Sequence, residues 1–171
     1  KVAAFNTTRT FGTHTKLLLD EDNQKFMVTS ARNLEEANPD VLIFVSRFDG
    51  ECWSTPRAVT PEVGVQHWNP VLFEMNGEGV LFYKMGYPIA DWHTRYITSK
   101  DFGESWSEPR ELVAGDISGG RGPVKNKCLR LSDGRVLAPA SSENRGWNCF
   151  IIYRLYFYCC IYSIINFWWH A

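Results

Sequence analysis

The sequence predicts an all-β chain, specifically a partial β-propeller of about three four-stranded blades, and three observations carry that prediction. The first is the segment Ser99-Lys100-Asp101-Phe102-Gly103-Glu104-Ser105-Trp106, which fits the pattern Ser-x-Asp-x-Gly-x-x-Trp. Its logic is a tight turn between strands. Gly103 supplies permissive backbone, Asp101 and Ser99 bond nearby amides, and Trp106 folds back as an apolar plug. The second observation is recurrence. Ser46 to Trp53 keeps Ser, Asp, Gly and Trp, and Trp53-Ser54-Thr55-Pro56-Arg57 is echoed by Trp106-Ser107-Glu108-Pro109-Arg110. Trp53 and Trp106 stand 53 residues apart, as do the openings Asn69-Pro70-Val71 and Gly122-Pro123-Val124. A period near fifty residues is that of propeller blades. The third observation is that no segment before residue 149 sustains a helical period.

The elements follow in order. In the first repeat, Thr15 to Leu19 and Phe26 to Thr29 flank a polar turn from Asp20 to Lys25, and Val41 to Val45 follows. In the second, Val71-Leu72-Phe73 and Val80 to Tyr83 flank the hairpin turn Asn76-Gly77, and Thr94 to Thr98 leads into the Ser99 turn. The third begins at Pro123 and runs from Cys128 to Leu131, through the turn Ser132-Asp133-Gly134, to Val136 to Ala140. Lys125 and Lys127 alternate on a strand in this reading and so share a face.

At 53 residues per blade, positions 1 to about 148 hold fewer than three blades, whereas a closed ring needs at least about four. The expectation is therefore an incomplete propeller domain over 1–150, a fragment of a larger protein or a truncated gene product, inactive alone. Residues 151–171 are expected to be an aberrant hydrophobic tail, because the segment is rich in Ile, Tyr, Phe, Cys and Trp and lacks Gly, Pro, Asp, Glu and Lys. Three origins compete for this tail. A membrane span has the right length, about 20 residues, but Arg154 and Asn166 oppose it. A strand pair lacks turn residues. Translation past a splice junction into AT-rich sequence fits best.

A net charge of -1 excludes general affinity for nucleic acid or anionic membrane surfaces. Five cysteines without ligand spacing imply neither a disulfide framework nor a metal site, and no cofactor is expected. Asn6-Thr7-Thr8 is a glycosylation sequon, consistent with a secreted protein.

Ligands of a propeller bind where the innermost strands converge, so polar residues near blade openings are the candidates. Four groups qualify: His14 with Arg9; Arg32 with Glu35, Glu36, Asn38 and Asp40; Gln66, His67, Trp68 and Asn69 with Lys84; and Arg121, Lys125, Asn126 and Lys127 with Glu143. Ser99, Asp101, Gly103 and Trp106 are structural.

The stretches Glu36 to Val41, Gln66 to Phe73 and Gly119 to Lys127, with the Ser99 turn matching an Asp-box, resemble the sialidase (neuraminidase)-like BNR-repeat superfamily. The resemblance spans about residues 12–150. It implies an exo-acting glycoside hydrolase on terminal anionic sugars. Arginines would grip the carboxylate, an acidic residue would serve as acid/base, and a tyrosine with its glutamate would attack. Arg32 matches the arginine after the second strand of the first blade, and Glu36 lies near the acid/base position. The remaining substrate-binding candidates are Asp40, Asn69, Lys84, Arg121, Lys125, Lys127 and Glu143. The chain departs from the family at Thr13-His14-Thr15, where sialidases carry Arg-Ile-Pro. That departure keeps two alternatives open. One is a polysaccharide lyase acting at glucuronate, with His14 or His67 as base and Arg32, Arg121, Lys125 and Lys127 as anion clamp. The other is a propeller that binds glycans without cleaving them.

Overall fold

The computed structural model describes residues 16–20, 25–32, 39, 41–124, 127–142 and 148–154. These residues form three antiparallel sheets. The first has the order β1 (Lys16–Asp20), β2 (Lys25–Arg32), β3 (Leu42–Phe48), β4 (Arg57–Ala58). The second repeats it with β5 (His67–Met75), β6 (Glu78–Met85), β7 (His93–Ser99) and β8 (Arg110–Glu111). The third is β9 (Leu129–Arg130), β10 (Val136–Ser142) and β11 (Asn148–Arg154). Each is a meander, and the sheets stack face to face as successive blades of a partial β-propeller.

The stacking follows from burial on both faces of the middle sheet. Val41, Ile43 and Val45 of the first sheet pack with Leu72, Leu81, Tyr83 and Ile97 of the second. On the opposite face, Val71, Val80 and Phe82 pack with Cys128, Val136 and Ala138 of the third, joined by Ile152. A strand buried on both faces reads as a continuous apolar run rather than an alternation, and Val80-Leu81-Phe82-Tyr83 is such a run.

The Ser99–Trp106 turn is built from its own side chains. Gly103 donates its amide to Ser99 Oγ at 2.7 Å, Ser99 Oγ donates to Asp101 Oδ1 at 2.9 Å, and the Ser105 amide donates to the same oxygen at 2.9 Å. Phe102 and Gly103 carry φ of 57° and 79°, a left-handed pair in which glycine removes one steric penalty. Trp106 packs against the core between the first two sheets. In the first sheet, Asp49 Oδ1 accepts from the amides of Glu51 and Cys52, and Phe48 bridges Trp53.

Two elements differ from the sequence expectation. The Cys128–Leu131 strand shrinks to Leu129–Arg130, and Lys127 lies in irregular backbone, exposed to solvent, rather than on a strand. At the other end, β11 runs past the boundary expected at residue 150. Every residue from Asn148 to Arg154 pairs with β10, so Ile151–Arg154 belong to the third sheet, and Ile152 contributes to its core. Asn148–Arg154 lacks turn residues because it is one strand.

Candidate functional site

Among the described residues, one end of the three sheets gathers Arg32, Gln66, His67, Trp68, Asn69, Lys84 and Arg121. There β2 ends at Arg32 and β3 begins; β5 opens at His67, β6 ends at Met85 and β7 opens at His93; and the segment Gly119–Val124 leads into the third sheet. Backbone bonds tie these openings together: the His67 amide donates to Val41 O and the Gly86 amide to Gln66 O, both near 3 Å. Pro123 bridges Ala140, and the Val124 amide donates to Pro139 O.

The opening of β5 is bent. Trp68 pairs with Lys84 but Val71 pairs with Phe82, so Asn69 and Pro70 together face one residue. Asn69 adopts φ 48°, which its short polar side chain tolerates, and Pro70 has no amide to lose at a bulge. Asn69 is buried at this kink. Beside it, Trp68 and Trp92 pack with ring centroids 6.1 Å apart, and Trp68 Nε1 donates to Gly86 O at 3.1 Å. The following loop exposes Tyr87 and Ile89. Trp92 is buried, so the aromatic surface open to the apolar face of a sugar ring is that of Trp68 and Tyr87.

Arg121 is a partly exposed cation at this end that a neighbouring carboxylate anchors. Asp116, itself buried, accepts from the Arg121 amide at 2.6 Å and from Arg121 Nε at 3.2 Å, and from Ser118. Burial pushes the Asp116 carboxyl up, but the bonds from Ser118 and the Arg121 amide, with the Arg121 charge, outweigh it and hold the group below its ordinary value. The carboxylate fixes the Nε edge of the guanidinium. Among the described residues neither Nη atom has a hydrogen-bond partner, and the side chain is 36% exposed.

Two candidates require correction. His67 is fully buried between the first and second sheets, its Nδ1 2.7 Å from Thr60 Oγ1 and its ring 5.2 Å from that of Tyr83. Burial, aided by the nearby Arg95 charge, lowers its pKa to about 4. It is a neutral packing residue with no route to a ligand, so the role of base does not fit it. Lys84 is also fully buried. Its Nζ donates to Thr94 Oγ1 at 2.8 Å, to Gly120 O and to Gly122 O, which places it under the site rather than in it. Both sit at the openings where ligand-facing residues were expected, because polar type alone does not separate a pocket wall from a buried joint.

Arg32 closes β2 at this end. His14, Glu36, Asp40, Lys125 and Glu143 lie outside the described residues. The sequence signals left unused were Asp116, five residues before Arg121, and the aromatic loop of Tyr87 and Trp92. No group of three or more His, Cys, Asp or Glu side chains able to hold a metal occurs among the described residues, and no helix among them is long and apolar enough to cross a membrane.

Three stacked meanders, the first two repeating at 53 residues and each carrying an aspartate-centred turn, define a β-propeller of repeated blades. The chain belongs to the BNR repeat-like domain family, which it matches over residues 24–154. No curated protein matches the sequence. Among solved structures it resembles the Hadza microbial sialidase Hz136 at 17% identity and a TM-score of 0.66, covering 83% of this chain and 35% of that one. It resembles the Trypanosoma rangeli sialidase bound to the inhibitor DANA at 14% identity and 0.62, over 85% and 29%. The Penicillium chrysogenum α-L-arabinanase follows at 13% and 0.53, over 77% and 40%. The chain thus spans about a third of the length of the sialidases it resembles, and the likeness is one of fold.

Proposed function

We propose that this chain supplies part of the substrate site of a sialidase-like glycoside hydrolase, exo-acting on terminal anionic sugars of glycans. The observation that carries this reading is Arg121, whose Nε edge is committed to Asp116 while its Nη edge has no partner among the described residues. A guanidinium held this way offers two parallel N–H donors to a carboxylate without first losing side-chain freedom. Trp68, half-buried and backed by the buried Trp92, with the exposed Tyr87 would pack the sugar ring at the same end. In this reading Arg32 is a second carboxylate donor, Glu36 handles the proton on the glycosidic oxygen, and no cofactor takes part. The sialidases and the arabinanase among the structural relatives support sugar chemistry on this fold.

The lyase alternative loses ground, since it needs an accessible base and His67, one of its two candidates, is buried. Non-catalytic glycan binding stays open because Thr13-His14-Thr15 replaces Arg-Ile-Pro. The test is titration of the full chain with N-acetylneuraminate, glucuronate and glucose, followed by NMR, beside a sialoside hydrolysis assay. Carboxylated sugars are expected to bind, glucose to bind at least about tenfold more weakly, and Arg121→Met to remove the difference. Equal binding of glucose, or no binding of either acid, overturns the anionic-sugar reading. Binding without turnover would leave the binder.

A further inference from the structure

Lys84 has an unusual address for a lysine: no part of it reaches solvent, and its Nζ sits beneath the segment Gly119-Gly120-Arg121-Gly122. It donates to the carbonyls of Gly120 and Gly122, the residues on either side of Arg121, the second at 3.4 Å. Thr94 completes the joint, accepting from Lys84 Nζ at 2.8 Å while donating to the same Gly120 carbonyl at 2.9 Å.

The glycines are dictated by this joint. A Cβ on Gly120 would stand 2.8 Å from Trp92 O, and one on Gly122 2.4 Å from Thr94 Cγ2. Both also carry positive φ, 74° and 156°. Only glycine lets the backbone settle onto Trp92–Thr94 closely enough for Lys84 to reach both carbonyls. Arg121, between them, is therefore held through its two neighbours from below and through Asp116 from the side.

We propose that Lys84 is a positioning residue: by binding the carbonyls that flank Arg121, it fixes the height and direction at which the guanidinium meets the carboxylate of an anionic sugar. This rests on the reading of Arg121 given above. It deepens that reading by assigning Lys84 to orientation and not to ligand contact. A lysine serves because it can extend several N–H donors on an apolar stem, whereas an apolar side chain of the same length would leave two buried carbonyls short of donors.

The test is Lys84→Met in the full chain, which keeps the stem and removes the donors. Two readouts are taken: affinity for N-acetylneuraminate, and amide hydrogen exchange across residues 119–122 and across β6. The expected result is affinity lower by about tenfold in the folded variant, with faster exchange at Arg121 while β6 stays protected. A variant that binds as the parent does, with unchanged exchange at Arg121, overturns the proposal. So does exchange that accelerates uniformly over the whole second sheet, since that is the mark of a merely structural lysine. If the parent chain does not bind N-acetylneuraminate, the anionic-sugar reading fails, and positioning is then judged by the localised exchange alone. If Lys84→Met does not fold, Thr94→Val, which keeps the shape and removes the hydroxyl, takes its place with the same two readouts and the same deciding outcomes.

Discussion

Arg57, on the short outer strand of the first sheet, reaches across to the second and donates through Nη2 to the main-chain carbonyl of Gly103 at 2.6 Å, with Glu104 O as a further acceptor. The outer strand of one blade thereby holds the turn of the next, and Arg47 adds an ion pair to Glu104. A guanidinium shared by two main-chain carbonyls is worth more than this ion pair, whose carboxylate is 58% exposed and which must order two long side chains to form. Arg57→Met should lower stability by about 1 kcal/mol and Arg47→Met by about half of that or less. Urea denaturation of the two variants checks the ranking, and a larger loss at Arg47 would contradict it.

Gly122→Ala should be far more damaging than Gly134→Ala, although both residues have positive φ. At Gly134 a Cβ meets nothing within 4 Å, so the cost is the left-handed backbone alone, about 1 kcal/mol. At Gly122 the new Cβ lies 2.4 Å from Thr94 Cγ2, and overpacking adds about 2 kcal/mol or more. Denaturation midpoints of the two variants decide it, and equal midpoints would mean that the Gly119–Gly122 segment is not pressed onto β7.

The period, the strand centres and the side chains of the Ser99 turn were legible in the sequence because each rests on local chemistry: alternation, a left-handed glycine, short polar side chains near free amides. The strands β4 and β8 were not, since two residues cannot display an alternation. β11 was read as a break because an uninterrupted Cys-Phe-Ile-Ile-Tyr run carries no turn, yet a single strand needs none, and its β-branched and aromatic residues suit a strand. At the site, Arg121 was legible as a cation at a blade opening, while Asp116, which aims it, was not. His67 and Lys84 were misplaced for one reason: whether a polar side chain at an opening faces outward or into the joint between sheets is set by the packing of neighbouring repeats, and no local pattern encodes it.

Acid should loosen the second sheet's turn before it unfolds the blades. Asp101 is held down to about 2, chiefly by the Ser105 hydroxyl and amide, from an ordinary 3.8. A depressed carboxylate contributes stability above its unfolded pKa, and the contribution is lost as pH falls from about 4 toward 2. Asp101→Asn should therefore flatten the acid limb of the stability profile in that window. Ser99→Ala, which removes the acceptor for the Gly103 amide and a donor to Asp101, should cost about 1 kcal/mol at neutral pH and less once Asp101 is protonated. A parent and an Asp101→Asn profile that stay parallel between pH 4 and 2 would refute the first expectation.

His67 should give the chain a second acid limb, centred nearer neutrality. Its pKa falls from 6.5 to about 4 on folding, because burial between the sheets disfavours the imidazolium and the Arg95 charge adds to that. Between these values the unfolded chain binds the proton and the folded chain refuses it, so protons drive unfolding. Stability is complete above about pH 6.5, declines as pH falls toward 4, and levels below that. The full linkage is about 3 kcal/mol as an upper bound. His67→Gln should abolish this limb while losing some stability at pH 7.5 through the altered contacts with Thr60 and Tyr83. If the parent is as stable at pH 5 as at pH 7.5, the ring is reached by water and could act as a base after all. Denaturant titrations at those two pH values separate the buried joint from the open site, and His67→Gln at pH 5 shows whether the lost stability belongs to this histidine or to another group.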